Sequence, residues 1–172
     1  MINQTLPSAV INTIVSLPKT TVDFGFGGIE LFNSETIAQE QIGYSVSATG
    51  ESFCGDKAGS WKSNWLVVGR ELVCGDPLIL DTSKPKFPVL TAEHGTGSWD
   101  AKVIAPSFEA FAASLKAFSD LAQSRTNPVE LENNPITAQE RSKFLEQLSQ
   151  LNQLETAIDF WEDIIEDDED ED

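Results

Sequence analysis

The stretch that decides the fold reads WLVVGRELVCGDPLILD over residues 65–81 and continues as KFPVLTAEHGTGSWDAKVIA over residues 86–105. Its apolar runs are short, and Gly, Pro and Asp interrupt them, as they do where strands are joined by turns. This pattern predicts a sheet of short strands. We place these strands at residues 65–69, 78–80, 87–91 and 102–105.

A helix is predicted over residues 107–123, directly after the last of these strands. Ser107 is a favoured N-cap residue, and Glu109 would stabilise the helix dipole from the first turn. The apolar side chains that follow recur at threes and fours, which is the spacing of one helical face. This face, which we expect to cover the sheet, consists of Phe108, Phe111, Leu115, Phe118 and Leu121.

Before residue 65, the pattern predicts one helix, from Ile2 to Leu17, and then mostly extended chain. We expect extended segments at residues 20–26, 29–32 and 42–48, and a short helix or turn at 35–40. The polar, Gly-rich residues 51–64 favour a loop anchored in the core by Phe53 and Trp61. Aromatic rings bury large areas, so core positions are favoured over an exposed contact patch for Trp61, Trp65 and Trp99.

Residues Gly25-Phe26-Gly27-Gly28 have the glycines of a phosphate-binding loop without its other parts. The Gly-Lys-Ser/Thr ending that neutralises phosphate is missing. We therefore interpret this motif as a tight turn, in which glycine allows two backbones to approach closely.

The C-terminal part is predicted to hold a connector at residues 126–136, one amphipathic helix at 137–165 and an acidic tail at 166–172. Thr137 and Glu140 have the spacing of a capping box, which marks a helix start. The apolar stripe that follows spans about eight turns at 3.6 residues per turn. It would either cover the sheet domain, predicted at residues 1–125, or pair with a second copy of the chain. The tail should be disordered, because a run of like charges repels itself.

Several pieces of the chain, in this order, resemble the SUKH superfamily of fungal glucan-synthesis-regulator-like proteins and bacterial toxin-immunity proteins. The pieces are WLVVGRE (65–71), GDPLILD (75–81), FPV (87–89), HGTGSW (94–99) and IAPSFEAF (104–111). The resemblance implies an α+β fold, a mixed twisted sheet of about residues 20–105 flanked by helices. It also implies a non-catalytic immunity protein that blocks a secreted toxin, often a nuclease. The alternative is a regulatory or scaffold protein that binds a host partner.

The charge of the chain points to basic partners. The 172 residues carry 28 acidic and 11 basic side chains. Phosphate backbones would repel such a chain, so we expect no direct nucleic-acid binding. Residues 162–172 hold nine acidic residues and no basic one, whereas residues 51–105 hold seven acidic and six basic residues.

The hydropathy of the chain indicates where the protein is located and whether it contacts a membrane. The longest apolar run is far shorter than the ~18–20 residues of a membrane span, and a basic, continuously apolar leader is missing from the first residues. We therefore expect a cytoplasmic protein without membrane contact. Cys54 and Cys74 would then remain thiols.

No catalytic or metal-binding motif stands out in the sequence. His94 is the only histidine, and a general base also needs a nucleophile or a substrate within reach. Two thiols and one imidazole fall short of the four ligands of a structural zinc site. We predict no cofactor, no metal and no enzymatic activity.

The sequence instead offers five carboxylates as candidate partner-binding residues. They lie at strand ends and in turns, where a rigid sheet presents side chains outward. For Asp76 and Asp81, an equally good interpretation is that they accept hydrogen bonds from turn N–H groups. The candidates are Glu71, Asp76, Asp81, Glu93 and Asp100.

Overall fold

The structure, a computed structural model, describes residues 5–166 and confirms the predicted α+β class. Within that range the helices are Ser8–Ser16 (α1), Phe108–Leu121 (α2), Pro128–Asn133 (α3), Ala138–Asn152 (α4) and Glu155–Ile165 (α5). The strands are Thr21–Phe24 (β1), Gly27–Leu31 (β2), Trp65–Glu71 (β3), Pro77–Asp81 (β4), Val89–Thr91 (β5) and Lys102–Ala105 (β6).

The six strands form one sheet in chain order, and every neighbouring pair is antiparallel. The mixed sheet that we predicted is therefore wrong. A parallel pair needs a crossover connection of about a dozen residues or more, whereas the connections over residues 72–76, 82–88 and 92–101 are all shorter than that. Strand β4 is the most buried part of the sheet, with Leu78, Ile79 and Leu80 fully covered.

The predicted extended segment at residues 42–48 is wrong, and the side chain of Gln41 explains why. Strand β2 pairs with β3 only up to Gly69, so backbone groups of Val67 need another partner. The Gln41 amide accepts from the Val67 N–H at 3.0 Å and donates to the Val67 carbonyl at 2.9 Å. Turns follow in place of a strand. Trp61 is buried as predicted, whereas Phe53 is half-exposed, so its predicted anchoring role is wrong.

Helix α2 is the predicted cover of the sheet. Ser107 caps it by accepting a hydrogen bond from the Ala110 N–H at 3.0 Å. All five apolar residues of its predicted stripe are buried. The stripe therefore packs into the core, as its spacing indicated.

The single helix predicted at residues 137–165 is wrong, because the chain breaks it into α4 and α5. Gln153 adopts a left-handed conformation (φ 54°, ψ 34°) and ends α4. Just before it, the buried Asn152 donates hydrogen bonds to Ser114 Oγ on α2 and to the Leu148 carbonyl. Both new helices pack inward, and Leu148 and Trp161 are fully buried in the core that includes the sheet.

The predicted connector at residues 126–136 contains a helix, α3. Asn127 caps it, and Pro128 occupies its first turn. Of the predicted acidic tail, only Glu166 lies within the described residues. Among residues 5–166, no helix is long and apolar enough to cross a membrane.

Candidate acidic groove

A groove of about 630 Å³ lies between α5, the ends of strands β5 and β6, and the turns that follow β3 and β5. We call it the acidic groove, because six carboxylates and one amine, that of Lys102, line it. The carboxylates are Glu71, Asp76, Glu93, Asp100, Asp159 and Asp163. Four of the five candidate residues thus come together, and Asp81 is not among the residues that line the groove.

Glu71 holds the turn at one end of the groove. Glu71 is only 7 % exposed, and its carboxylate accepts hydrogen bonds from three backbone N–H groups at 2.7–2.8 Å. The donors are Val73, Cys74 and Asp76. A buried carboxylate is stable only when it is satisfied in this way, so Glu71 shapes the groove wall.

Asp76 joins this turn to the loop after β5. Its Oδ1 accepts from the His94 backbone N–H at 2.8 Å and lies 2.6 Å from His94 Nδ1. The neighbouring hydroxyls are engaged elsewhere: Thr96 donates to the Ser98 carbonyl, and Ser98 donates to Asp100. His94 and Asp76 therefore have the geometry of an orienting pair, without a hydroxyl of this loop directed at the imidazole.

Asp81 has the turn role that the sequence left open. Its Oδ1 accepts from the Ser83 N–H, the Ser83 hydroxyl and the Asn64 amide at 2.6–3.0 Å. These bonds organise the turn after β4. Its predicted part in partner binding has no support from position, because the acidic groove lies elsewhere.

Helix α5 supplies the opposite wall. Thr156, Asp159 and Asp163 follow each other at helical spacing on the face that lines the groove. Partial burial, reinforced by Glu166, Asp159 and Glu162, raises the pKa of Asp163, and Lys102 opposes that rise. Burial and the neighbouring carboxylates therefore both disfavour the charged form of Asp163 at this wall.

Asp159 and Asp163 are not among the candidate residues predicted from the sequence. Both are exposed residues beside the apolar stripe of α5, a position typical of a solvated helix face. Only the break at Gln153, which lets α5 pack on β6, brings them opposite the strand-end carboxylates. Their spacing of four residues places Asp159 and Asp163 on one helical face. This spacing does not indicate which part of the fold that face contacts.

The carboxylates are distributed along the groove and do not converge. Among the described residues, no three His, Cys, Asp or Glu side chains are close enough to hold a metal ion together. Apolar side chains, including Val73, Ile104 and Ile164, lie between them. Such an arrangement suits an extended, positively charged ligand with apolar parts better than a point charge.

Three of the four tryptophans form a packed cluster beside this region. Trp61 is buried, and the rings of Trp65 and Trp99 meet it edge-on, with centroids 5.5 Å and 5.2 Å away. Trp99 lies between Ser98 and Asp100, which both line the groove. The cluster therefore supports the loop that carries Asp100.

Comparison with protein-family models, with curated proteins and with solved structures finds no match for this chain. The SUKH resemblance thus stays a prediction, and the function is argued from the groove.

Proposed function

We propose that this chain is a non-catalytic binding protein whose acidic groove receives a basic segment of a partner protein. The observation that carries the proposal is the uncompensated charge of the groove. Within residues 5–166, no ion pair neutralises Glu93, Asp159 or Asp163. Lysine and arginine side chains of a partner would supply the missing positive charge.

The electrostatics of the groove favour fast and selective association. Clefts lined by charge of one sign focus the field and raise on-rates by about 10–10³-fold. Like-charged proteins are rejected at the same time. Acidic residues dispersed over an exposed surface would raise the association rate less, because water and salt screen exposed charges.

The resemblance to immunity proteins suggests which class of partner the groove would bind. A nuclease toxin binds phosphate, so the surroundings of its active site are basic. An acidic groove that covers those basic residues would block substrate access. We therefore propose a secreted, basic toxin domain as the partner.

The proposal is tested with two variants of equal charge. The groove-neutral variant carries Glu93→Gln, Asp100→Asn, Asp159→Asn and Asp163→Asn. The surface-neutral variant carries Glu35→Gln, Asp120→Asn, Glu132→Gln and Glu146→Gln, all at exposed positions outside the groove lining. Glu71 and Asp76 are left unchanged, because they hold the groove wall.

Each protein is immobilised, and retained proteins are identified by mass spectrometry and then purified for direct binding assays. We expect a basic partner that binds the wild type and the surface-neutral variant and binds the groove-neutral variant at least ten-fold more weakly. Equal binding by all three proteins would contradict the proposal, and so would a partner without a basic surface.

A further inference from the structure

The Gly25-Phe26-Gly27-Gly28 turn presents an aromatic ring to solvent. Phe26 lies at the tip of the hairpin formed by β1 and β2, and 82 % of its surface is exposed. It is the most exposed of the large apolar residues in the described part of the chain. Its exposure is notable because phenylalanine gains more from burial than most residues do.

The hairpin tip is held firmly from both sides. The Gly25 N–H donates to the Arg125 carbonyl at 2.8 Å, and the Leu72 N–H donates to the Gly28 carbonyl at 2.9 Å. A Cβ added to Gly25 would lie 2.7 Å from Leu131 Cδ2, and one added to Gly27 would lie 2.4 Å from Val73 Cγ2. The glycines thus let two side chains pack directly against the backbone.

Because the backbone of the hairpin tip is held in place, the Phe26 ring is preorganised for binding. Little backbone freedom remains to be lost when a partner covers Phe26, and ordering costs of this kind reduce affinity. Rigid aromatic side chains accordingly dominate the energy of many interfaces. Phe26 has this combination of rigidity and exposure.

Val73 connects the hairpin tip to the acidic groove. Its side chain lies over Gly27, is 54 % exposed and also lines the groove. Phe26 and Val73 form what we call the hairpin patch. This patch therefore borders the groove carboxylates, and one partner segment can contact both.

We propose that the hairpin patch is the apolar anchor of the docking surface, and that it takes an aliphatic or aromatic side chain adjacent to lysine or arginine residues in the partner. This inference rests on the function proposed above. The charge of the groove selects the occupant: a second copy of this chain would bring two acidic grooves together, whereas a basic segment would be attracted.

The test uses a random displayed peptide library as the probe, selected separately against the wild type and against three variants. Phe26→Ser removes the anchor, Asp159→Asn with Asp163→Asn reduces the groove charge, and Val15→Ser is the matched control. Val15 is 79 % exposed on α1 and lines neither the patch nor the groove. Thermal unfolding verifies that each variant is folded.

We expect wild-type selection to enrich peptides in which a large apolar residue neighbours several basic residues. Phe26→Ser should weaken the best peptide roughly 30-fold, the loss that corresponds to an interface hot spot of about 2 kcal/mol. Val15→Ser should leave its affinity unchanged. The double aspartate variant should weaken it as well, and more strongly at low salt.

The outcomes separate the two proposals. Basic peptides whose affinity is unaffected by Phe26→Ser would overturn the anchor and leave the groove function standing. Neutral or acidic apolar peptides bound through Phe26 would overturn both the predicted partner chemistry and the role of the groove, and so would failure to enrich any peptide. Dimers in sedimentation experiments that Phe26→Ser abolishes would identify a second copy as the occupant and overturn the anchor proposal.

Discussion

The junction around Arg125 and the acidic groove are two charged regions that differ in how far their charge is matched by nearby partners. Arg125 is 5 % exposed, and all three nitrogens of its guanidinium donate hydrogen bonds. It donates to the Leu121 carbonyl at 2.7 Å, to the Asn134 carbonyl at 2.7 Å and to Glu140 Oε1 at 2.9 Å. This one side chain thereby ties the end of α2 to the end of α3 and the start of α4.

The acidic groove has the reverse balance, with six carboxylates against one amine. Two of these carboxylates, Glu71 and Asp76, accept backbone hydrogen bonds and belong to the architecture. The exposed Glu93, Asp159 and Asp163 have no ion-pair partner among residues 5–166, and only Lys102 opposes the negative charge at Asp163. The comparison teaches that one fold can match charge with hydrogen bonds in one place and leave charge without an ion-pair partner in another, where we propose that it serves binding.

Arg125→Ala should produce the largest loss in stability of the changes considered. The substitution removes the hydrogen bonds that the buried guanidinium donates to the Leu121 and Asn134 carbonyls and to Glu140, which should lower the free energy of unfolding by about 2–4 kcal/mol. Chemical denaturation measures the loss. Arg141→Ala is the matched control: its ion pairs with Glu162 and Glu166 are partly exposed, so its loss should stay below about 1 kcal/mol. Equal losses would contradict the central role of Arg125.

Glu140→Gln should produce a smaller, pH-dependent loss. Hydrogen bonds from Thr137 and the guanidinium of Arg125 lower the pKa of Glu140 to about 2, from an ordinary value of about 4.3. The stabilisation is thus present above the ordinary value and is lost as the pH falls towards 2.

The melting temperatures of wild type and Glu140→Gln, measured from pH 7 to pH 2, check this dependence. The difference should be greatest near neutral pH and should shrink as the pH approaches 2. A difference that does not vary with pH would show that the capping box and the ion pair act without the carboxylate charge.

Asp163→Asn should produce the smallest effect, and with the opposite sign. Burial and neighbouring carboxylates raise the pKa of Asp163, so the folded state binds this proton more tightly than the unfolded state does. The stability contribution of Asp163 therefore falls as the pH rises through its ordinary value of about 3.9. At pH 7 the variant should melt slightly above the wild type, and the gain should vanish in acid.

Asp56→Asn, at an exposed loop position outside the groove lining, is the control for Asp163→Asn and should leave the melting temperature unchanged. If Asp163→Asn destabilised the protein at pH 7, the groove charges would be structural, and the contrast with Arg125 would be lost.

Local signals in the sequence predicted the parts of the fold that depend on neighbouring residues. Ser107, Thr137 and Glu140 cap the helices as their spacing indicated. The apolar runs from Trp65 onward became strands. The sheet was expected to be mixed, although its short connections already favoured antiparallel pairing.

The remaining errors depend on residues that are distant in the chain. The apolar stripe continues through Gln153 with helical spacing, so only the packing of α4 on α2 and of α5 on β6 reveals the break. Gln41 replaces a strand by bonding Val67, 26 residues away. The groove combines strand-end acids, which the sequence identified, with Asp159 and Asp163, whose position depends on that same break.

Association kinetics with the purified partner test the central claim most directly. Stopped-flow measurements compare the wild type, the groove-neutral variant and the surface-neutral variant at low and physiological salt. The account predicts that the groove-neutral variant associates about ten-fold or more slowly at low salt, that salt slows the wild type most, and that the surface-neutral variant stays close to the wild type. Association rates that depend neither on salt nor on the groove carboxylates would contradict the account.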